Sequence, residues 1–119
     1  MSMIHFEPSS FLTDFHVAGF AYYDGLDVID ELKLVQKVDL AYEANNPHNP
    51  EAIVILYKGK KLGYVPSAKN DFLFALIYFG YGDILQARIQ MADTQTYPER
   101  QFRVVVTIKD NRSEKVADQ

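Results

Sequence analysis

Three segments of the chain carry aromatic and polar side chains of the kinds that bind ligands. Two adjacent tyrosines, Tyr22 and Tyr23, end an aromatic and β-branched stretch, where neighbouring strand positions point to opposite faces of a sheet. Residues 45–50 alternate asparagine, proline and histidine, and residues 61–70 combine lysines with a tyrosine. Tyrosine rings can stack on nucleic-acid bases, amides can pair with sugars and bases, and lysines can neutralise phosphates.

The residue types used in catalysis and metal binding show no productive spacing. The three histidines, His5, His16 and His48, are scattered, with no pair at metal-ligand spacing, and we interpret each as a surface residue. The chain has no cysteine, which excludes disulfides, thiolate metal sites and cysteine nucleophiles. We expect no catalytic residue, no metal and no cofactor. A metal-dependent nuclease that uses Asp39 and Glu43 is the weakest alternative.

Hydrophobic periodicity predicts that short β-strands position these segments. Gly19 is expected to form a bulge or a close backbone approach within the first strand, and residues 26–32 leave room for at most two helical turns. Alternating or continuous apolar residues predict six strands, over residues 14–22, 37–43, 52–57, 62–65, 84–91 and 102–108.

A single main helix is predicted over residues 68–79. Ser67 is placed to cap its N-terminus, and Gly80 stands at the position typical of a glycine that ends a helix. The helix is apolar almost all round from Phe72 to Phe79, which indicates burial on more than one side or contact with a partner, including a second copy of the chain.

These elements predict an all-β or α+β fold, a small closed or strongly bent six-stranded sheet plugged by the helix. The 119 residues, 48% of them hydrophobic, suit one domain, expected at residues 11–110, with a flexible tail at residues 111–119. No apolar run approaches the roughly 20 residues that span a bilayer, and the N-terminus lacks the pattern of a signal peptide. We therefore expect a soluble, cytoplasmic protein.

Charge is distributed unevenly along the chain. The net charge is −4, and residues 1–51 hold nine acids against two lysines, whereas residues 52–69 hold four lysines and no acid. Phosphate neutralisation supplies most of the non-specific affinity for nucleic acids, so an acidic protein binds them poorly in general. Any contact with nucleic acid must therefore be confined to a limited part of the surface.

The three segments together resemble the HIRAN domain family. They read GFAYYDG at residues 19–25, EANNPHNPEAI at residues 43–53 and KLGYVPSAKN at residues 61–70, in the order and spacing of that family. The resemblance extends over residues 13–109. Domains of this family occur alone in bacteria and attached to helicase-like chromatin and DNA-repair remodellers.

The resemblance implies a six-stranded barrel related to the oligonucleotide-binding fold, and binding of single-stranded DNA with recognition of a free 3′ end. Tyr22 and Tyr23 match the paired tyrosines that contact the terminal nucleotides in such relatives. Asn45 and Asn46 match loop asparagines, and Tyr64 stands where relatives carry a polar or aromatic residue after the hairpin glycine.

Three positions depart from the pattern of the DNA-binding relatives. Ala21 replaces an arginine before the tyrosine pair, and Asn49 replaces the aspartate that accepts a hydrogen bond from the terminal hydroxyl. An amide can still accept that bond, without the charge. Ser67 replaces a basic residue after the hairpin, with Lys69 as the nearest substitute.

The sequence thus predicts a non-catalytic module that binds single-stranded DNA near a 3′ end, in the setting of DNA repair. A helicase or repair protein is a further expected partner. The apolar run from Phe72 to Phe79 is also compatible with oligomerisation through the helix. The alternative is a protein-interaction module that keeps the fold and has lost the DNA site. The expected contacts are stacking or hydrogen bonds from Tyr22, Tyr23, Tyr64, Asn45, Asn46, Asn49 and Ser67, and phosphate binding by Lys60, Lys61 and Lys69.

Overall fold

The computed structural model of this chain describes residues 9–97 and 100–109. Six strands form one curled antiparallel sheet with the order β1-β6-β5-β2-β3-β4. The predicted fold class is confirmed, a small six-stranded OB-like barrel with one main helix and a short helical segment. The strands are β1 (Ser9–His16), β2 (Lys37–Tyr42), β3 (Ile53–Tyr57), β4 (Lys60–Tyr64), β5 (Leu85–Ala92) and β6 (Phe102–Lys109).

The two outer strands of this order meet just beyond the end of β1. The backbone N–H of Ala18 donates to the carbonyl of Tyr64, and the N–H of Tyr64 donates to the carbonyl of Ala18, both at 2.9 Å. A Cβ atom at Gly63 would collide with the Ala18 carbonyl oxygen, and Gly63 has a φ of 155°. Glycine therefore permits the close approach that closes the sheet at this end.

The core fills the inside of the curled sheet. Alternate positions of β6, among them Val104 and Val106, are fully buried, as period-two alternation requires, whereas the continuous apolar run of β3 is buried on both faces at Ile53, Val54 and Ile55. Ile108, near the end of β6, is only half-buried.

The segment between β1 and β2 differs from the prediction, and β1 ends at His16 instead of continuing to Tyr22. Gly19 adopts a left-handed conformation with φ 77° and begins a short 3-10 turn at Phe20–Tyr22, so it is not a strand bulge. The turn directs Phe20 into the core, where its ring lies 4.6 Å from that of Phe102. A second 3-10 segment, Asp24–Glu31, agrees with the predicted short helical stretch.

This turn also corrects the expected orientation of the tyrosine pair. The two residues follow a helical turn and not a strand, so strict alternation between two faces does not apply. Tyr22 is 85% exposed and Tyr23 is 37% exposed. Neither ring belongs to the core.

The main helix, α1, covers Asp71–Tyr78 and begins later than predicted. Ser67 is not its N-cap, because Ser67 starts a separate 3-10 turn, Ser67–Lys69, in which the N–H of Asn70 donates to the Ser67 carbonyl. Pro66 explains this start, since its extended conformation (φ −58°, ψ 143°) precedes the turn.

The predicted helix end is confirmed at Gly80. Gly80 has a φ of 90°, its N–H donates to the Ile77 carbonyl at 3.1 Å, and the N–H of Tyr81 donates to the Leu76 carbonyl at 2.7 Å. These paired hydrogen bonds around a left-handed glycine form a Schellman motif.

Within residues 9–97 and 100–109, no helix is long and apolar enough to cross a membrane. The expected tail at residues 111–119 lies outside the described residues, as does residue 110 at the expected end of the domain.

Candidate functional site

A cavity of about 240 Å³ opens beside the point where the sheet closes. It brings together residues from all three segments that the sequence singled out. Five predicted site residues line it, Tyr23 from the first segment, Asn46 and Asn49 from the second, and Tyr64 and Ser67 from the third. The other lining residues are Ala18, His48, Ala52, Val65 and Pro66.

The aromatic wall of the cavity is a pair of tyrosines. The ring of Tyr23 meets that of Tyr64 edge to face, with centroids 5.4 Å apart and planes at 78°. The left-handed turn at Gly19 packs against Tyr23, since a Cβ atom at Gly19 would lie 3.1 Å from the Tyr23 ring. Tyr64 is held by its two backbone hydrogen bonds to Ala18. The partly exposed Tyr23 ring therefore has a defined orientation and a surface that a ligand can contact.

The second segment forms a loop that Asn46 stabilises from within. Its side-chain Oδ1 accepts hydrogen bonds from the backbone N–H groups of His48 and Asn49, both at 2.8 Å. Its Nδ2 donates to Glu43 at 3.0 Å. Asparagine favours such local turns because its side chain can bond to the following backbone. Asn46 acts mainly as the support of the loop.

Asn49 differs from Asn46 in having an unused donor group. Its Oδ1 accepts a hydrogen bond from the backbone N–H of Glu51 at 2.9 Å. Its Nδ2 donates to no other residue in the described part of the chain, and the residue lines the cavity. The carbonyl of Glu51 in turn accepts a hydrogen bond from Asn70, which is only 3% exposed at the start of α1. The helix start thus positions the loop.

Glu43 is the centre of a hydrogen-bonded cluster behind the aromatic wall. Its carboxylate accepts a hydrogen bond from the Tyr64 hydroxyl, pairs with the Lys61 ammonium at 2.9 Å and accepts the bond from Asn46. Lys61 also donates to the Tyr64 hydroxyl at 3.0 Å and lies 5.0 Å from the centroid of the Tyr23 ring.

These contacts shift the protonation equilibria of all three groups. The hydrogen bonds from Tyr64 and Lys61 lower the pKa of Glu43, and the hydrogen bond to Glu43 raises the pKa of Lys61. Burial, followed by the hydrogen bond to Glu43, raises the pKa of Tyr64. Lys61 is therefore charged, and Glu43 balances that charge.

Besides Lys61, which lies behind the aromatic wall, four predicted contact residues lie outside the cavity lining. Tyr22, Asn45 and Lys60 are exposed elsewhere on the surface. Lys69 lines a different cavity of about 400 Å³, between β1 and α1. The structure thus brings together half of the ten predicted residues, places Lys61 directly behind them and does not bring the other four into the cavity.

Sequence reasoning missed three residues that shape the site. His48 is exposed, as expected of a surface residue, but its place in the cavity lining is not anticipated. Glu43 was considered only as a nuclease ligand, and Asn70 was not assigned a role. The position of Glu43 at the start of the asparagine loop was a usable signal, but its pairing with Lys61 depends on tertiary structure. Among the described residues, no group of three histidine or acidic side chains could hold a metal ion.

Comparison with known proteins agrees with this architecture. The family model of the HIRAN domain matches residues 10–109. A comparison with curated proteins gives no match.

Two solved structures share the fold. A protein from Lactobacillus plantarum, solved by a structural genomics consortium, has a TM-score of 0.71 at 22% identity, covering 84% of this chain and 94% of that one. The HIRAN domain of human HLTF has a TM-score of 0.62 at 17% identity, covering 92% of this chain and 87% of that one.

Proposed function

Because this chain belongs to the HIRAN domain family, a family of nucleic-acid-binding domains, we propose that it binds the 3′ end of single-stranded DNA without catalysing a reaction. The terminal nucleotide occupies the cavity lined by Tyr23, Asn49 and Tyr64. One observation carries this proposal, namely the convergence of three separate sequence segments on one cavity that offers both an aromatic surface and an unused amide donor.

The size of the cavity supports binding of one nucleotide and not a longer stretch of strand. Its volume of about 240 Å³ is below the range of about 300–1,000 Å³ typical of sites for larger small molecules. The terminal base contacts the exposed face of Tyr23, and the sugar or its terminal substituent lies against the loop at Asn49 and Ser67. A base can stack on tyrosine whatever its identity, so the site is tolerant of sequence.

The predicted contact residues outside the cavity bind the DNA nucleotides that precede the terminal one. In this proposal the Tyr22 ring, which is 85% exposed and adjacent in sequence to Tyr23, stacks on a second base. Asn45, Lys60 and Lys69 are exposed and form the proposed contacts to the backbone of nucleotides further from the end. We further propose that the protein acts in DNA repair and that it is located in the cytoplasm.

Fluorescence anisotropy tests this function. The probe is a short oligonucleotide labelled at its 5′ end, presented as a single strand and as a blunt duplex. We expect saturable, weak binding of the single strand and much weaker binding of the duplex, since only the unpaired strand can place a terminal base on Tyr23. Absence of saturable binding at high protein concentration and low salt contradicts the proposal.

One observation favours the second candidate, a protein-interaction module. Aromatic side chains are exposed at both ends of α1, with Phe72 58% accessible at its start and Tyr78 53% and Phe79 70% accessible at its end. Exposed aromatic groups of this kind occur where proteins associate. A helicase, a repair protein or a second copy of the chain is the proposed partner. Sedimentation at increasing concentration tests self-association, and Phe79→Ser should abolish it while the melting temperature shows that the fold is retained.

A further inference from the structure

The two ends of the Asn49 amide face different surroundings. The backbone N–H of Glu51 can only donate, so the Asn49 atom 2.9 Å from it is the oxygen. This contact fixes which end of the amide is which. The Nδ2 group, with two N–H donors, faces no acceptor within the part of the chain that the structure describes, and Asn49 lines the cavity.

The contacts of Glu51 hold this orientation in place. Its carbonyl accepts a hydrogen bond from Nδ2 of Asn70, a residue that is 3% exposed. A reversed Asn49 amide would bring its Nδ2 against the Glu51 N–H and leave two donors facing each other. An unsatisfied polar contact of this kind is unfavourable. The Asn49 oxygen is therefore held by Glu51, and Nδ2 is the part of the amide left to donate to a ligand in the cavity that Asn49 lines.

No carboxylate offers a charged acceptor in the same cavity. None of its ten lining residues is acidic. Glu43 lies behind the wall, where Tyr64, Lys61 and Asn46 already donate to it. The Glu51 side chain is exposed and is not part of the lining. His48 and Ser67 add side chains that can donate hydrogen bonds.

We infer that this cavity prefers a 3′ end that carries a phosphate over one that carries a hydroxyl, an inference that rests on the proposed function. Phosphate oxygens only accept hydrogen bonds, and they match the two N–H donors of Asn49. A hydroxyl can also accept, but as a neutral group it makes a weaker hydrogen bond than a charged phosphate oxygen.

The test compares two labelled single strands of the same sequence, one ending in a 3′-hydroxyl and one in a 3′-phosphate. For the unmodified protein, we expect the phosphate-ended strand to bind about threefold to tenfold more tightly. Asn49→Asp is the matched variant, because its carboxylate still accepts the Glu51 N–H and replaces the two donors with an acceptor. This variant should reverse the preference, and its melting temperature should show that the fold is retained.

The outcomes separate this inference from the function on which it depends. Tighter binding of the hydroxyl-ended strand, or equal binding of both strands, overturns the inference while the DNA-binding function stands. The same preference in Asn49→Asp as in the unmodified protein also overturns it. Absence of binding to either strand contradicts the proposed function and the inference together.

Discussion

The ammonium group of Lys61 lies 2.9 Å from the carboxylate of Glu43, and both side chains are largely shielded, at 31% and 25% exposure. The basic side chain beside the Tyr23 and Tyr64 rings is therefore already paired within the protein. Because the charges of Lys61 and Glu43 cancel beside the cavity, the cavity has no strong local charge, although the chain as a whole has a net charge of −4. Recognition at this site depends on ring surfaces and neutral donors more than on charge.

The first prediction concerns salt. Each phosphate neutralised on a single strand contributes about 0.7 to the slope of log affinity against log salt. With Lys61 paired to Glu43, we expect a shallow slope of about 1.5 or less in magnitude, equivalent to two phosphates. Anisotropy titrations across a salt series measure it.

Two single variants refine this test. Lys61→Ala should leave the slope unchanged because Glu43 already balances its charge, whereas Lys60→Ala should reduce it. A steep slope that falls sharply in Lys61→Ala would show that Lys61 contacts phosphate directly.

The second prediction concerns the aromatic wall. Stacking on an aromatic ring is worth roughly 1–3 kcal/mol per base, so Tyr23→Ala should lower affinity by about tenfold or more. Tyr22→Ala should have a smaller effect, since Tyr22 is exposed outside the cavity. Anisotropy gives the affinities, and a melting curve for each variant checks the fold.

Tyr97 provides the matched control for loss of a tyrosine, because it is 72% exposed and does not line the cavity. Tyr97→Ala should bind like the unmodified protein. Equal affinities for Tyr23→Ala and Tyr97→Ala would show that Tyr23 does not support a base.

The strands and the helix end could be predicted from the sequence, but the position of Tyr23 could not. The six strands follow from the sequence because alternation of apolar residues, as at Val104 and Val106, is a local pattern. The end of the helix follows because the left-handed conformation at Gly80 is a local property of glycine. The position of Tyr23 does not, because the 3-10 turn after Gly19 forms where Phe20 inserts into the core, and that packing depends on distant Phe102.

The members of the candidate site were predictable only in part, and the roles of its residues were not predictable. Asn46 and Asn49 are the same residue type in one loop, yet Asn46 supports the loop with both ends of its amide, whereas the Nδ2 group of Asn49 has no acceptor among the described residues. That difference depends on which backbone N–H each side chain meets. The pairing of Glu43 with Lys61 likewise depends on tertiary structure, because Glu43 follows β2 and Lys61 lies in β4, on the other side of β3.

The third prediction concerns acid stability. The pKa of Glu43 is lowered in the folded protein from its ordinary value of 4.5, so the unfolded chain binds the proton more readily. The stabilisation by this group is present above pH 4.5 and is lost as the pH falls through the lower folded pKa. Melting temperatures across this acidic range measure the loss.

Glu43→Gln supplies the comparison, because its amide oxygen can still accept a hydrogen bond but carries no charge. The variant should be less stable near neutral pH and should lose less stability on acidification. Parallel stability curves for the two proteins would contradict the assigned role of Glu43.

The fourth prediction concerns closure of the sheet. Gly63→Ala places a Cβ atom against the Ala18 carbonyl oxygen, where the two outer strands meet. We expect a loss of about 3 kcal/mol or more in the free energy of unfolding, from combined clash and backbone strain. Denaturant unfolding measures it.

Gly59→Ala is the control for the left-handed conformation alone, since Gly59 has a φ of 80° with no heavy atom within 4 Å of the added Cβ. Its expected cost is about 1–2 kcal/mol. If both variants lose the same stability, the approach of Gly63 to Ala18 is not the constraint described here.

The most direct test of the account is a map of the DNA-binding surface by backbone amide chemical shifts in solution. A short single-stranded oligonucleotide is titrated into the isotope-labelled chain. We predict that the largest shifts occur around the cavity, at Tyr23, Asn49, Tyr64 and Ser67, and that the exposed side of α1 near Phe79 is unaffected. Shifts confined to α1, or an unchanged spectrum, would contradict binding of a strand end in this cavity.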